Sequence, residues 1–185
     1  MALSKLQDGA SKIYLSIREG KVARKDGDQW VLYNSVAGRL HEVGTRENKF
    51  GEQECFIVLD DLGERYQLQV KQGSSYFRAF ASMANNIDVD APLEFVPMLR
   101  EENGKKNVGL ILMQNGKAVK WAHTKNEPNG MPGPEVMTKK SGEKIYDWSE
   151  RDAFLMDRVN ALNARIGNVS EVESSIPDIE DDLPF

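Results

Sequence analysis

From Lys12 to about Trp121 the chain is written in short runs rich in Val, Ile, Tyr and Phe, each cut off within a few residues by Gly, Asn or Asp. Runs of this length and composition make strands, and the punctuating residues make the turns between them. No regular alternation of strands with helices appears, so the fold is expected to be mainly β. Lys12 to Arg18 and Lys21 to Lys25 bracket Glu19-Gly20 as a hairpin, and Gln29 to Ser35 follows the turn Asp26-Gly27-Asp28. Gly38 to Thr45, Gln53 to Leu59 and Arg65 to Lys71 read as a three-strand meander, its last pair joined by Asp60-Asp61-Leu62-Gly63-Glu64. The period then changes. Ser74 or Ser75 can cap a helix reaching Asn85, with Phe77, Phe80, Ala81 and Ala84 on one face. Pro92 to Leu99, Asn107 to Gln114 and Lys117 to Ala122 resume the β pattern.

Three strands, a helix and two strands is the order of an OB-type sheet. The expectation is a five-stranded OB-fold barrel with a capping helix and extra N-terminal strands, over residues 1–122. Residues 123–148 carry Pro128, Gly130, Pro132, Gly133 and Pro134 and read as a loop or arm without a regular element. Ser149 followed by Asp152 opens a capping-box-like start, and Phe154, Leu155, Val159, Leu162 and Ile166 make a helical stripe ending at Gly167. Residues 168–185 are acidic and poor in large apolar groups, which predicts a disordered tail.

Charge sharpens this division. The net charge is -5, yet residues 167–185 hold six acids (Glu171, Glu173, Asp178, Glu180, Asp181, Asp182) and no Lys or Arg, leaving the remainder at +1. Residues 1–126 carry 18 basic and 16 acidic side chains, a mild excess that permits a basic groove.

The last nine residues are Pro177-Asp178-Ile179-Glu180-Asp181-Asp182-Leu183-Pro184-Phe185. This ending resembles the acidic tip of bacterial and phage single-stranded DNA-binding proteins, which finish in consecutive Asp residues, an aliphatic residue, Pro and Phe. The resemblance implies that Asp178, Glu180, Asp181, Asp182, Leu183, Pro184 and Phe185 dock on replication, recombination and repair proteins. The chemistry agrees: Pro184 keeps the end extended, so the Phe185 ring and the carboxylate are offered together to a pocket with an apolar floor and an Arg rim. The same acids resemble a polyphosphate and can compete with nucleic acid for the protein's own groove. The body departs from the family: it lacks the short apolar first strand and the long Gly/Gln/Pro-rich linker, which points to a divergent, phage-type member and leaves the bacterial tetramer unsupported.

Single-strand binding without sequence preference needs ring faces for bases and cations for phosphates. Trp30 and Tyr33, Phe50 beside Lys49, Phe56, and Trp121 beside Lys120 interleave in this way, and Arg39, Arg46, Arg65 and Lys71 add charge. For each ring, a place in the core is the competing expectation. Tyr66 alternates with Leu68 and Val70 and is expected to face the core, leaving Arg65, Gln67, Gln69 and Lys71 on the other side. On the helix, Tyr76 and Arg78 are expected to reach solvent. His41, His123 and the single Cys55 offer no zinc-ligand spacing, and no phosphate-cradling Gly-rich loop with Lys and Ser/Thr is present. No cofactor, metal site or catalysis is expected. With no signal peptide and no membrane-length apolar run, the expected location is the cytoplasm of a bacterium or of a phage-infected host. Two other readings compete: an OB-fold adaptor that uses the same tail but binds protein, and an RNA-binding OB protein.

Overall fold

The computed structural model describes residues 12–174, with side chains through residue 167. The tip residues Asp178 to Phe185 lie outside the described residues. The architecture is mainly β, with a C-terminal helix. Nine strands form one sheet: β1 (Lys12–Arg18), β2 (Lys21–Asp26), β3 (Gln29–Tyr33), β4 (Val36–Glu47), β5 (Gln53–Asp61), β6 (Glu64–Lys71), β7 (Leu93–Glu102), β8 (Lys105–Gln114) and β9 (Lys117–Ala118). Their spatial order is β3-β2-β1-β6-β5-β4-β7-β8-β9. Helix α1 (Ser75–Met83) separates β6 from β7, and its capping acceptor is Ser74, whose Oγ takes the Phe77 amide. Phe77 and Phe80 are fully buried, as their spacing predicts.

The expected closed or nearly closed barrel does not form, and the sheet stays open. Closure would use the free edge of β6, and that edge is taken by β1, which pairs with it in parallel from Lys12↔Arg65 to Leu15↔Leu68. β4 also changes partner along its length. Its first residues, Val36 to Gly38, pair with β7, and from Arg39 onward it pairs with β5 across a bulge at His41. Gly38 sits at this change of partner, where an added Cβ would lie 2.8 Å from the Asp60 carbonyl oxygen.

The sheet nevertheless curls back on itself. The β1–β2 turn abuts β7, although β6, β5 and β4 lie between them in the sheet. A Cβ on Gly20 would meet the Leu99 amide nitrogen at 2.4 Å, and Gly20 has φ +70°. The sheet is therefore open in its hydrogen bonding but brought round on itself by contact.

Further differences from the expected pattern have local causes. β9 stops at Ala118 because the chain leaves the sheet for α1: the Ala122 amide donates to the Ser82 carbonyl at 2.8 Å. The prolines of the arm are confined to residues 128–134, and beyond them β10 (Glu135–Thr138) and β11 (Lys144–Asp147) form a two-stranded hairpin. The C-terminal helix, α2 (Ser149–Ser174), runs past Gly167, since one helical glycine costs only about 1 kcal/mol against alanine. Its start is not a capping box. Asp147 Oδ1 accepts from the Ser149 amide and hydroxyl, while Asp152 turns away to Arg78 in two hydrogen bonds of 2.7 and 2.8 Å. Arg78 is therefore half-buried and ion-paired rather than solvent-facing, and Tyr76 is half-buried with its hydroxyl on the Met98 carbonyl.

One core fills the inside of the curl. Leu15, Val43, Ile57, Leu59, Leu68 and Val70 from the sheet meet Phe77 and Phe80 of α1 and Leu155, Val159, Leu162 and Ile166 of α2. Each fully buried side chain of this kind contributes about 1.5–3 kcal/mol. α2 also covers the half of the β4 edge that β7 leaves unpaired, where the Val43 amide donates to Asn163 Oδ1 at 3.1 Å. A covered edge is protected from pairing with other chains. Among the described residues no helix is long and apolar enough to cross a membrane.

Cys55 lies in this core, and burial pushes its thiol up to about 12 from 9.0. Iodoacetamide at neutral pH is expected to label it only at the rate at which the protein opens. The linkage sign follows: the unfolded thiol ionises first, so this contribution to stability is intact below about pH 9 and declines as pH rises toward 12. Rapid labelling of the native protein in the absence of denaturant would contradict the buried placement.

Candidate nucleic-acid interface

Because side chains alternate along a strand, the paired register sorts the sheet into two faces. One row of the inner face reads Val43-Ile57-Leu68-Leu15, and a second reads Leu40-Leu59-Tyr66-Ile13. Tyr66 thus faces the core side, as its alternation predicts. The outer face carries the rows Arg39-Asp60-Arg65-Lys12, Glu42-Val58-Gln67-Tyr14, Gly44-Phe56-Gln69 and Arg46-Glu54-Lys71. Five of the expected DNA contacts, Arg39, Arg46, Phe56, Arg65 and Lys71, therefore stand on one surface.

The N-terminal strands extend that surface. Continuing the alternation through β1, β2 and β3 puts Ser16, Arg18, Lys21, Ala23, Lys25, Trp30 and Leu32 on the outer side. Trp30 is 40% exposed, and the Arg18 guanidinium lies 3.8 Å from its ring centroid. Tyr33, by contrast, falls on the inner side, where it lines a cleft with Leu15, Val22, Arg24 and Tyr66. It does not share the surface of Trp30.

Phe56 has a built seat. A Cβ placed on Gly44 would lie 2.7 Å from Phe56 Cζ, so the ring rests across the bare glycine backbone of the neighbouring strand. Tyr14, 55% exposed and paired in register with Gln67, is a second ring on this face that the sequence reading did not single out. Its signal was the alternation in Lys12–Arg18, where Ile13, Leu15 and Ile17 share one side and Tyr14, Ser16 and Arg18 the other.

The turn between β4 and β5 offers a third kind of position. Asn48 Oδ1 accepts from the Phe50 and Glu52 amides at 2.9 and 3.0 Å, and the Asn48 amide donates to the Glu52 carbonyl at 2.8 Å. This bonding fixes the turn and leaves the Phe50 ring 76% exposed, with Lys49 Nζ 5.0 Å from its centroid. Lys120 and Trp121 belong elsewhere. They lie outside the strands, and the Lys120 carbonyl accepts from Asn86 Nδ2 at 2.9 Å, tying them to the 3-10 turn Ala84–Asn86 that follows α1.

The outer face is basic, with Lys12, Arg18, Lys21, Lys25, Arg39, Arg46, Arg65 and Lys71 set against Glu42, Glu54 and Asp60. Several cations are already engaged. Arg46 lies 3.8 Å from Glu54, Arg65 lies 3.5 Å from Asp60, and Lys71 pairs with Glu52. The Lys71 and Asn48 hydrogen bonds hold the Glu52 carboxyl below its usual range. Exposed pairs of this kind contribute little to stability, so a phosphate can displace the carboxylate. Compared with known protein families, with curated proteins and with solved structures, the chain matches none of them.

Proposed function

We propose that this chain binds single-stranded DNA without sequence preference on the outer face of β1, β4, β5 and β6. There it coats and protects the strand in replication, recombination and repair, and it recruits partner proteins through the acidic tip Asp178 to Phe185. The observation that carries the reading is the gathering of Tyr14, Phe56, Arg39, Arg46, Arg65 and Lys71 on one face, with Trp30 on its extension and Phe50 at its end. Rings supply sequence-tolerant stacking and cations follow the backbone, the two requirements of such a site. The order β4-β5-β6, α1, β7-β8 supports an OB-type reading of this part of the sheet, in an opened form. In that fold the middle strands commonly carry oligonucleotides.

The test is a fluorescence-anisotropy titration of labelled oligo-dT, oligo-rU and duplex, at low and moderate salt. Single strands are expected to bind more tightly than duplex, and affinity should fall with salt. Each phosphate contact adds about 0.7 to the slope of log K against log salt for a single strand, so Arg65→Ala and Lys71→Ala should each flatten that slope by about 0.7. Removing residues 175–185 should tighten DNA binding. Equal affinity for duplex and single strand, or no binding to either, rejects the reading; a strong preference for oligo-rU moves it to RNA.

A further inference from the structure

On the helix side of the molecule the arm and the start of α2 enclose a cleft of about 480 Å³. Its aromatic walls are Tyr146 and Trp148, its cations Lys125 and Arg151, and prolines 128, 132 and 134 stiffen the remainder. Among the described residues no carboxylate lines it.

The charge in this cleft is not internally balanced. Two guanidiniums stand near Trp148, that of Arg78 5.1 Å and that of Arg151 5.2 Å from its ring centroid. Asp152 is the carboxylate at hand, and both its oxygens are spent on Arg78. Arg151 Nε is buried with no hydrogen-bond partner among the described residues. Burial, and then the neighbouring Arg78, press the Arg151 pKa down, the direction expected of a cation short of a counter-charge. An unpaired buried donor is costly, the more so when it is charged, so an arriving anion is favoured. Tyr146 is 51% exposed and can offer its ring to an incoming planar group.

We infer that this cleft is a second nucleic-acid subsite that takes one nucleotide of a bound single strand, its base against Tyr146 and Trp148 and its phosphate on Arg151 and Lys125. The inference rests on the single-strand reading above and extends it. A long strand would engage both the outer face of the sheet and the helix side, which lengthens the footprint beyond what the sheet alone gives.

The experiment combines photo-crosslinking of 5-iodo-deoxyuridine oligonucleotides to the full chain, mapped by mass spectrometry, with anisotropy titration of a Tyr146→Ala, Lys125→Ala variant. Both positions are exposed, so the variant keeps the fold. A crosslink at Tyr146 or Trp148, together with at least about a fivefold loss on a long oligo-dT in the variant, is the expected result, since a stacked base contributes at the least about that much. Crosslinks confined to β1, β3, β5 and the β4–β5 turn, with the variant binding like the unaltered chain, overturn the inference and leave the sheet-face reading standing. Absence of oligonucleotide binding by the unaltered chain removes both.

Discussion

Replacing Tyr14 with alanine and Phe56 with leucine together is expected to weaken oligo-dT binding about thirtyfold or more. Each stacked base contributes about 1–3 kcal/mol, so losing two ring faces removes at least about 2 kcal/mol. Tyr14 is more than half exposed, and its removal opens no cavity. Phe56 is the more constrained of the two because its ring lies over Gly44, and leucine keeps part of that cover while removing the flat face. Gly44→Ala probes the same site from beneath, because the new Cβ would stand 2.7 Å from the ring and push it off its seat. Tyr66→Phe, on the inner face, is the control and should leave binding unchanged. Anisotropy titration with parallel circular dichroism separates lost contact from lost fold. Unchanged affinity in the double variant would mean that the strand, if bound at all, lies elsewhere.

The largest expected effect on stability is at Gly20. Alanine there meets two costs: a left-handed backbone with φ +70°, and a collision with the Leu99 backbone at 2.4 Å. The first costs about 1–2 kcal/mol and the second, as overpacking, a further 1–3 kcal/mol or so. At about 2–4 °C per kcal/mol for a chain of this size, the melting temperature of Gly20→Ala should fall by roughly 4–20 °C. Gly27→Ala isolates the first cost, because Gly27 also has positive φ, +58°, but nothing lies within 4 Å of its added Cβ. The difference between the two variants measures the docking of the β1–β2 turn on β7. Equal melting temperatures would show that this contact contributes nothing.

The parts of the fold legible in the sequence are those encoded locally. The hairpin at Glu19-Gly20, the meander through Asp60-Asp61-Leu62-Gly63-Glu64 and the Ser74-capped helix each carry their instruction within a dozen or so residues. Turn chemistry and alternation suffice to read them. The pairing of β1 with β6 carries no such signal, because a parallel contact between distant segments is recorded only as two apolar runs, and for that reason the sequence pattern points to a closed or nearly closed barrel where the sheet is open. The arm hairpin was hidden by the prolines just before it, and the reach of α2 by a glycine that breaks nothing.

The candidate site divides the same way. Arg65, Gln67, Gln69 and Lys71 sort to one face by alternation alone. That Tyr14 and Phe56 join them depends on inter-strand register, and Trp121 goes elsewhere because of where β9 ends, whereas alternation alone parts Tyr33 from Trp30, three residues before it in one strand. The cleft at Trp148 was not legible, since its walls come from the arm, β11 and α2, and its Arg151 is isolated by an Arg78–Asp152 pair that bridges two helices.

The parallel β1–β6 pairing also orders events in time. β4, β5 and β6 form a meander of neighbours and can assemble as soon as they are made. β1 must wait through the synthesis of everything up to Arg65 and Leu68 before its partner exists. The loop closed by that pairing is long, so its entropy is lost before any contact compensates for it. Of the described strands β1 is thus the first made, yet its hairpin with β2 cannot dock until β6 exists. Until the hairpin docks, the β6 edge is bare, and a nascent chain in that interval is the species most prone to pair with a neighbouring copy.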